Sequence, residues 1–255
     1  MKFSANLGFL WTELSLPSAI RAAHDAGFDA VECHWPYDFD AGAVRAALTE
    51  TNMTMLGLNT SRGDVANGEN GLSALAGRQI EARTAIDDAI SYASQIGALK
   101  IHVMAGFAKG PEAHAAFLRN LQYACERAAS KMITILIEPL NAYDAPGYFL
   151  SNTDQAIDII EQINAPNLKL MLDCYHVQLT QGDLGNCLTS VFPHIGHIQF
   201  ASVPDRGAPD HGEINYEYIF GLIKSLGYTA PLGAEYRPVG PTASTLTWLE
   251  GAQKI

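Results

Sequence analysis

The sequence is poor in cysteine, with four in 255 residues. No two of them form a C-x-x-C pair, and their spacing fits neither a zinc knuckle nor a dense disulfide framework. Two of them, Cys33 and Cys174, lie in apolar runs that are typical of buried strands. The pattern favours reduced thiols in the core of a cytoplasmic protein.

Long apolar runs are also missing. No window approaches the ~20 apolar residues of a membrane-spanning helix. The segment Met1–Leu16 has one lysine and lacks the long apolar centre and the cleavage site of a signal peptide. The remaining composition, 48% hydrophobic and 17% charged, is that of a globular protein, and it excludes disordered and low-complexity classes. We therefore expect no membrane partner.

Basic residues are scarce. The sequence has 16 Lys and Arg and 27 Asp and Glu, which gives a net charge of −11. A protein with this balance repels nucleic acid and anionic membranes unless its basic residues cluster, and here they do not. A divalent cation would be attracted. The charge therefore predicts no nucleic-acid partner, while the oligomeric state stays open and a homo-oligomer is compatible with the sequence.

Apolar strand-like runs alternate with helix-period segments along the whole chain. Most of these runs are apolar on both faces, which suits parallel strands that are covered on both sides. Amphipathic segments between them predict helices over 18–26, 78–96, 112–130, 153–163 and 216–226. The eight strand candidates are 2–7, 30–35, 53–59, 100–105, 134–140, 168–175, 197–201 and 232–236.

The spacing of these strands predicts a closed barrel. Successive strands are about 33 residues apart, which is enough for one strand, one helix and two loops of a right-handed βα unit. Eight such units in one chain of this length indicate an α/β protein with a single (β/α)8 TIM barrel domain over residues 1–255. The alternative, an open doubly wound sheet, normally has a Gly-rich phosphate loop after its first strand, and none is present here.

The loops indicate where the site lies. Connections from helix to strand are short, whereas two connections from strand to helix, 60–77 and 202–215, are long and polar. In a barrel, all strand-to-helix loops lie on the rim that carries the chemistry. The two long loops are candidate lids, although loop 60–77 also fits a tolerated insertion.

Four oxygen-bearing side chains, Glu138, Asp173, Gln199 and Glu235, lie inside or at the carboxyl ends of four successive strand candidates. Because one repeat separates each from the next, they should converge at the barrel axis. Three carboxylates at one point repel each other unless a cation neutralises them. Hard oxygen donors suit Mg²⁺ or Mn²⁺, whereas zinc prefers His and Cys. A boundary or helix-cap role explains one such acid, but four polar residues at matching positions of consecutive repeats are much harder to explain by chance.

Other polar residues near the same rim give weaker signals. His176 lies three residues after Asp173 and can face a ligand of the metal. Arg206, in the loop after the seventh strand, is either a clamp for a substrate oxygen or a solvated loop arginine. Further residues that either support the site, touch substrate or are satisfied polar groups are Glu32, His102, Asp144, His211, Asn6 and Asn59.

Several segments around these residues resemble the hydroxypyruvate isomerase family. That family belongs to the xylose isomerase-like (β/α)8 barrels, which also include ketose 3-epimerases and metal-dependent AP endonucleases. The resemblance runs the whole length of the chain, and its more specific part is Gln199, which stands where sugar epimerases have histidine. The segments that carry it are 137–141 (IEPLN), 172–176 (LDCYH), 196–206 (GHIQFASVPDR), 212–216 (GEINY) and 233–236 (GAEY).

The resemblance implies roles for the candidate residues. Glu138, Asp173, Gln199 and Glu235 would hold the metal, and the two glutamates would also act as the acid–base pair. His176 and Arg206 would contact substrate. The histidine-rich cluster for three zinc ions that AP endonucleases have is not found in this sequence.

The function that follows is a metal-dependent isomerase of a small 2-oxo-3-hydroxy acid. The preferred reaction converts hydroxypyruvate to tartronate semialdehyde (2-hydroxy-3-oxopropanoate) through an enediolate. A 2-oxo-tetronate isomerase and a ketose 3-epimerase are alternatives on the same barrel, and metal-dependent hydrolysis of nucleic acid is disfavoured by the charge. A non-catalytic sugar-acid binding protein is the alternative from another class, because barrels host many functions. The pair of glutamates favours catalysis.

Overall fold

The computed structural model describes residues 1–255, and its centre is one sheet of nine parallel strands. Most strand residues are buried, because helices cover the outside of the sheet and side chains fill its inside. The strands are β1 (Phe3–Asn6), β2 (Ala30–Glu32), β3 (Thr54–Met55), β4 (Gly57–Asn59), β5 (Lys100–His102), β6 (Thr134–Ile137), β7 (Leu168–Asp173), β8 (Ile195–Phe200) and β9 (Leu232–Ala234).

The strands form a ring. β1 pairs with β2 on one side and with β9 on the other, and the remaining strands follow in chain order. β3 pairs with β2 and β4 pairs with β5, and only Leu56 separates β3 from β4. These two short strands are therefore segments of one barrel strand, and the ring has eight positions. This arrangement confirms the predicted (β/α)8 barrel.

Helices follow the strands in the order that a barrel requires. All five predicted helices are present, with ends that differ by no more than two residues, and four further helices accompany them. The nine helices are α1 (Leu16–Asp25), α2 (Ala41–Thr51), α3 (Gln79–Ile96), α4 (Gly110–Ala129), α5 (Thr153–Ile163), α6 (Cys174–Thr180), α7 (Leu184–Val191), α8 (Tyr216–Ser225) and α9 (Leu249–Gln253).

Helix ends follow local chemistry. Asn152 caps α5, since its side chain accepts from the backbone N–H of Gln155, and Asn215 caps α8 in the same way. Gly97 ends α3 at φ 77°, a left-handed conformation that glycine adopts without strain.

The predicted strand over 168–175 is wrong at its end, because the carboxylate of Asp173 accepts from the N–H of Tyr175 at 2.9 Å and starts α6 there.

An aromatic cluster packs Trp248, the residue before the C-terminal helix α9, against strands of the barrel. Phe3 of β1 lies 5.3 Å from Trp248 and 5.8 Å from Phe200 of β8, ring centroid to ring centroid. Phe220 of α8 joins the same cluster, at 5.3 Å from Phe3. Edge-to-face pairs of this kind stabilise a core beyond the area that they bury.

None of the helices is both long and apolar enough to cross a bilayer.

Candidate active site

The four predicted oxygen-bearing residues lie on one rim of the barrel. Glu138 directly follows β6, Asp173 ends β7, Gln199 lies in β8 and Glu235 directly follows β9. Asp173 and Gln199 are register partners of neighbouring strands. All four are buried, with exposed fractions between 1% for Asp173 and 6% for Glu138. The rim therefore holds three carboxyl groups in a setting where water does not compensate their charge.

Glu138, Asp173 and His176 form the tightest group on this rim, with one ligand atom of each within 4.8 Å of the others. Nδ1 of His176, however, accepts a hydrogen bond from the backbone N–H of Asn141 at 3.1 Å. Burial and the nearby guanidinium of Arg206 lower the pKa of His176 to about 3, so the ring is neutral. Its one hydrogen is therefore on Nε2, and His176 presents a donor to the site rather than a lone pair for a metal.

Glu235 is held on both oxygens. Oε1 accepts from Nδ2 of Asn6 at 2.8 Å and lies 2.8 Å from Nε2 of His34, while Oε2 accepts from Nη2 of Arg206 at 2.7 Å. Burial would raise the pKa of this carboxyl, but Arg206 and His34 outweigh it and bring the pKa to about 2. Glu235 is therefore an ionised carboxylate.

Arg206 is buried rather than solvated, with 7% of its surface exposed. Besides Glu235, its guanidinium lies 3.4 Å from Oδ2 of Asp173 and 3.3 Å from Oδ2 of Asp144. The rings of Phe9 and Tyr175 contact it at 4.9 and 4.8 Å from their centroids. Its φ of 55° is strained for a side chain of this size. Such strain persists where the surroundings fix the residue, and it is typical of functional sites.

The positive charge near Glu138 and Asp173 is too small to balance the negative charge of these two carboxyl groups. Burial, followed by the charges of Glu235 and Asp173, raises the pKa of Glu138 well above its ordinary value. Burial also raises the pKa of Asp173 to about 8, although Arg206 opposes the shift. Oε1 of Glu138 and Oε1 of Gln199 are buried and have no hydrogen-bond partner. Surplus negative charge and unpartnered oxygens fit a hard divalent cation.

The weaker candidates have different surroundings. Glu32 is buried under the site and bonds Gln199, while His102 is buried with Nδ1 at 3.5 Å from Oε2 of Glu138. Asp144 pairs with Arg206. His211 is half exposed. Its hydrogen bonds go to residues of its own loop and not to Glu138, Asp173 or Glu235. Those partners of His211 are Asp205, Asp210 and Ser202.

The sequence interpretation missed several residues of the site. His34 contacts Glu235, and it stands two residues after Glu32, the last residue of β2 and part of the predicted strand 30–35. His197 bonds Glu32 and stands two residues before Gln199 in β8. Because alternate strand residues point to the same side, this i, i+2 spacing was a usable signal. No pattern in the sequence predicts the contact of Phe9 with Arg206.

The site belongs to a known kind of barrel. A family model described as xylose isomerase-like TIM barrel matches residues 20–252. The match covers most of the chain, and the chain belongs to this family.

Named relatives agree with this assignment. A 2-oxo-tetronate isomerase of Cupriavidus necator is 42% identical over 253 residues, which cover 98% of this chain and 97% of the relative. A hydroxypyruvate isomerase of Escherichia coli is 37% identical over 255 residues, with 98% of each chain covered. These relatives confirm the expectation of an isomerase. A crystal structure of an AP endonuclease, family 2, from Brucella melitensis has a TM-score of 0.95 and 38% identity, with 98% of each chain covered.

Proposed function

We propose that this protein is a metal-dependent isomerase that interconverts the ketone and aldehyde forms of a small 2-oxo-3-hydroxy acid. One observation carries the proposal. Glu138, Asp173 and Glu235 lie at the carboxyl ends of β6, β7 and β9 on one rim of the barrel, and the site retains unpartnered oxygens on Glu138 and Gln199. The names of the relatives support the same class of reaction.

The donor set supports a hard cation, Mg²⁺ or Mn²⁺. Glu138, Asp173, Gln199 and Glu235 would hold it, since carboxylate and amide oxygens are the ligands that these ions prefer. When bound, the ion supplies Lewis-acid stabilisation of the negative charge that develops on the substrate oxygens.

The two glutamates move the proton. Isomerisation requires removal of a proton from one carbon and delivery of a proton to its neighbour. One of the pair Glu138 and Glu235 takes the first proton, and the other delivers the second. The hydroxyl proton passes from the oxygen that becomes the aldehyde oxygen to the oxygen of the former ketone, so that the reaction balances. Positioned acid–base catalysis of this kind contributes roughly 10²–10⁴-fold to a rate.

Two buried N–H donors orient the substrate. Nε2–H of His176 faces the carboxyl groups, 3.7 Å from Oδ2 of Asp173. Nε of Arg206 is buried and has no hydrogen-bond partner, so it keeps one donor for a substrate oxygen. A charge-assisted bond from a guanidinium suits the carboxylate of a 2-oxo acid.

Hydroxypyruvate, converted to tartronate semialdehyde, is the preferred substrate, and a 2-oxo-tetronate is the alternative. The test is a turnover screen of hydroxypyruvate, four-carbon 2-oxo acids and free ketoses, with Mg²⁺ or Mn²⁺ added to chelator-treated protein. We expect turnover of a 2-oxo acid only when metal is present. Turnover of free ketoses alone would favour a 3-epimerase, and binding of sugar acids without turnover would favour a binding protein.

Hydrolysis at abasic sites in DNA is a second candidate, because the protein from Brucella melitensis carries the name of such an enzyme. The net charge of −11 disfavours it, since most affinity for DNA comes from contacts with phosphates. Incubation of metal-loaded protein with abasic-site DNA provides the test, and strand cleavage at a rate comparable to 2-oxo acid turnover would reverse this preference.

A further inference from the structure

Glu32, at the carboxyl end of β2, is surrounded by hydrogen-bond donors inside the barrel. Its Oε1 accepts from Nε2 of Gln199 at 3.0 Å and from Nδ2 of Asn6 at 3.2 Å, and its Oε2 is bonded to Nε2 of His197. The residue is buried. The reaction proposed above gives it no step, yet it contacts a residue of the metal-holding set.

The contact with Glu32 fixes the orientation of the Gln199 amide. An ionised carboxylate only accepts hydrogen bonds. Gln199 must therefore present its nitrogen to Glu32 and turn its oxygen away from Glu32. That Oε1 is the buried atom without a hydrogen-bond partner. A Gln side chain that turned by half a rotation about its last bond would instead present N–H groups to the cation.

On the Oε2 side of Glu32, the partner His197 is itself in contact with Lys100. Nζ of Lys100 lies 3.4 Å from Nδ1 of His197. A lysine ammonium only donates, so Nδ1 of His197 accepts, and the ring hydrogen on Nε2 is directed at Oε2 of Glu32. Lys100 thereby selects the tautomer of His197 that Glu32 needs.

The backbone makes room for this arrangement at Gly233 of β9. A Cβ atom there would collide with the carboxylate of Glu32 and would lie 2.8 Å from Cγ of Gln199. Any other residue at this position would displace one of the two side chains. The contact between Glu32 and Gln199 therefore depends on a glycine in the neighbouring strand.

We infer that Glu32 is a positioning residue that directs the carbonyl oxygen of Gln199 at the cation site. It sets Asn6 in the same way, because the amide nitrogen of Asn6 donates to both Glu32 and Glu235. This inference rests on the metal site of the proposed function. It adds that the metal affinity depends on a carboxylate that does not itself bind the ion.

The first test measures Mn²⁺ affinity by isothermal titration calorimetry, together with the melting temperature. In Glu32→Gln the new amide presents either a donor or an acceptor, so it no longer dictates the orientation of Gln199. We expect the Kd for Mn²⁺ to rise by about 10- to 100-fold, the usual effect of losing a partner behind a metal ligand. Glu161→Gln, at a glutamate with 63% of its side chain exposed, is the control and should bind Mn²⁺ normally.

The second test exchanges donor and acceptor in the double variant E32Q/Q199E. The amide introduced at position 32 donates to the carboxylate introduced at position 199, whose other oxygen faces the site in either orientation. We expect this variant to recover most of the affinity lost in Glu32→Gln. Because the pair keeps a complementary hydrogen bond, we expect the double variant to fold. Where the single variant does not fold, the double variant is compared with the wild type, and a Kd more than about 10-fold above the wild-type value would contradict the inference.

Two results would overturn the inference, namely a folded Glu32→Gln with wild-type Mn²⁺ affinity, or a folded double variant that binds Mn²⁺ no better than Glu32→Gln. A purely structural role for Glu32 would change the melting temperature and leave the Mn²⁺ affinity of the folded Glu32→Gln variant at the wild-type value. Wild-type protein that does not bind Mn²⁺ at all is a different outcome. It would overturn the metal site of the proposed function, and the inference with it.

Discussion

Nη2 of Arg206 lies 2.7 Å from Oε2 of Glu235 and so pairs the loop after β8 with the carboxyl end of β9. The same nitrogen is 3.4 Å from Oδ2 of Asp173. With its contact to Asp144, one guanidinium thus serves three carboxyl groups, while Glu138 has no cationic side chain within hydrogen-bonding distance. Burial, followed by the charges of the neighbouring carboxyl groups, raises the pKa of Glu138 and of Asp173, and the single guanidinium does not offset these effects. A divalent cation would neutralise the surplus negative charge.

Glu138→Gln and Glu235→Gln should each abolish most of the isomerase activity. An amide cannot take or deliver the proton, so we expect kcat to fall by roughly 10²–10⁴-fold. The change in shape is small, so the circular dichroism spectrum should stay as it is in the wild type. Steady-state kinetics on the substrate found in the turnover screen provide the measurement.

Glu161→Gln serves as the control for these variants too, since it removes a charge at an exposed position. It should leave kcat unchanged. Near-normal turnover by either Glu138→Gln or Glu235→Gln would reject the assignment of that glutamate to the acid–base pair.

Removal of divalent metal should stop turnover and lower the melting temperature. A ligand that binds only the folded state at 100 times its Kd adds about 2.7 kcal/mol to the free energy of unfolding. For a domain of this size, that corresponds to a rise of roughly 5–10 °C. Differential scanning calorimetry of chelator-treated protein, with and without Mg²⁺ or Mn²⁺, measures the shift. Full activity in excess chelator would contradict the metal requirement.

The stability of the metal-free protein should fall as pH rises towards 8. The pKa of Asp173 is about 8 in the folded protein, well above its ordinary value. Between about pH 4 and pH 8, the folded state holds a proton that the unfolded chain has released, so the free energy of unfolding decreases with pH. Metal-loaded protein should not share this loss, because the cation replaces the proton. The metal-induced rise in melting temperature should therefore grow with pH.

Asp173→Asn isolates this effect, since an amide does not titrate in the range. The metal-free variant should lose less stability between pH 5 and pH 8 than the metal-free wild type. The same slope in both proteins would show that Asp173 is not the group responsible.

The sequence was sufficient to predict the barrel and the positions of the four oxygen-bearing residues. Parallel strands repeat at a near-constant spacing, so Glu138, Asp173 and Glu235 fall at the same place in successive units. Helix α2 was missed, since alanines occupy both its buried and its exposed faces and leave a weak amphipathic pattern.

Long-range contacts were beyond sequence reasoning. His34 bonds Glu235 across 201 positions, and His197 bonds Glu32 across 165. Spacing shows which side of a strand a residue faces but not which partner it meets across the barrel. The burial of Arg206 was equally open, because it depends on Phe9 and on residues from other repeats that close over the loop.

Arg206→Lys should impair catalysis although it keeps the charge. An ammonium is a compact donor that cannot place separate N–H groups on Glu235, Asp144 and a substrate oxygen at the same time, as a planar guanidinium does. Loss of one charge-assisted bond is worth about 1.5–3 kcal/mol, so we expect kcat/KM to fall by about 10- to 150-fold. The loss should be seen mainly in KM if the missing bond goes to the substrate carboxylate in its ground state. Arg127→Lys, which changes a surface pair with Asp87, is the matched control and should leave the kinetics unchanged. An Arg206→Lys variant with wild-type kcat and KM would remove Arg206 from the substrate site and leave it the role of a counter-charge to Glu235.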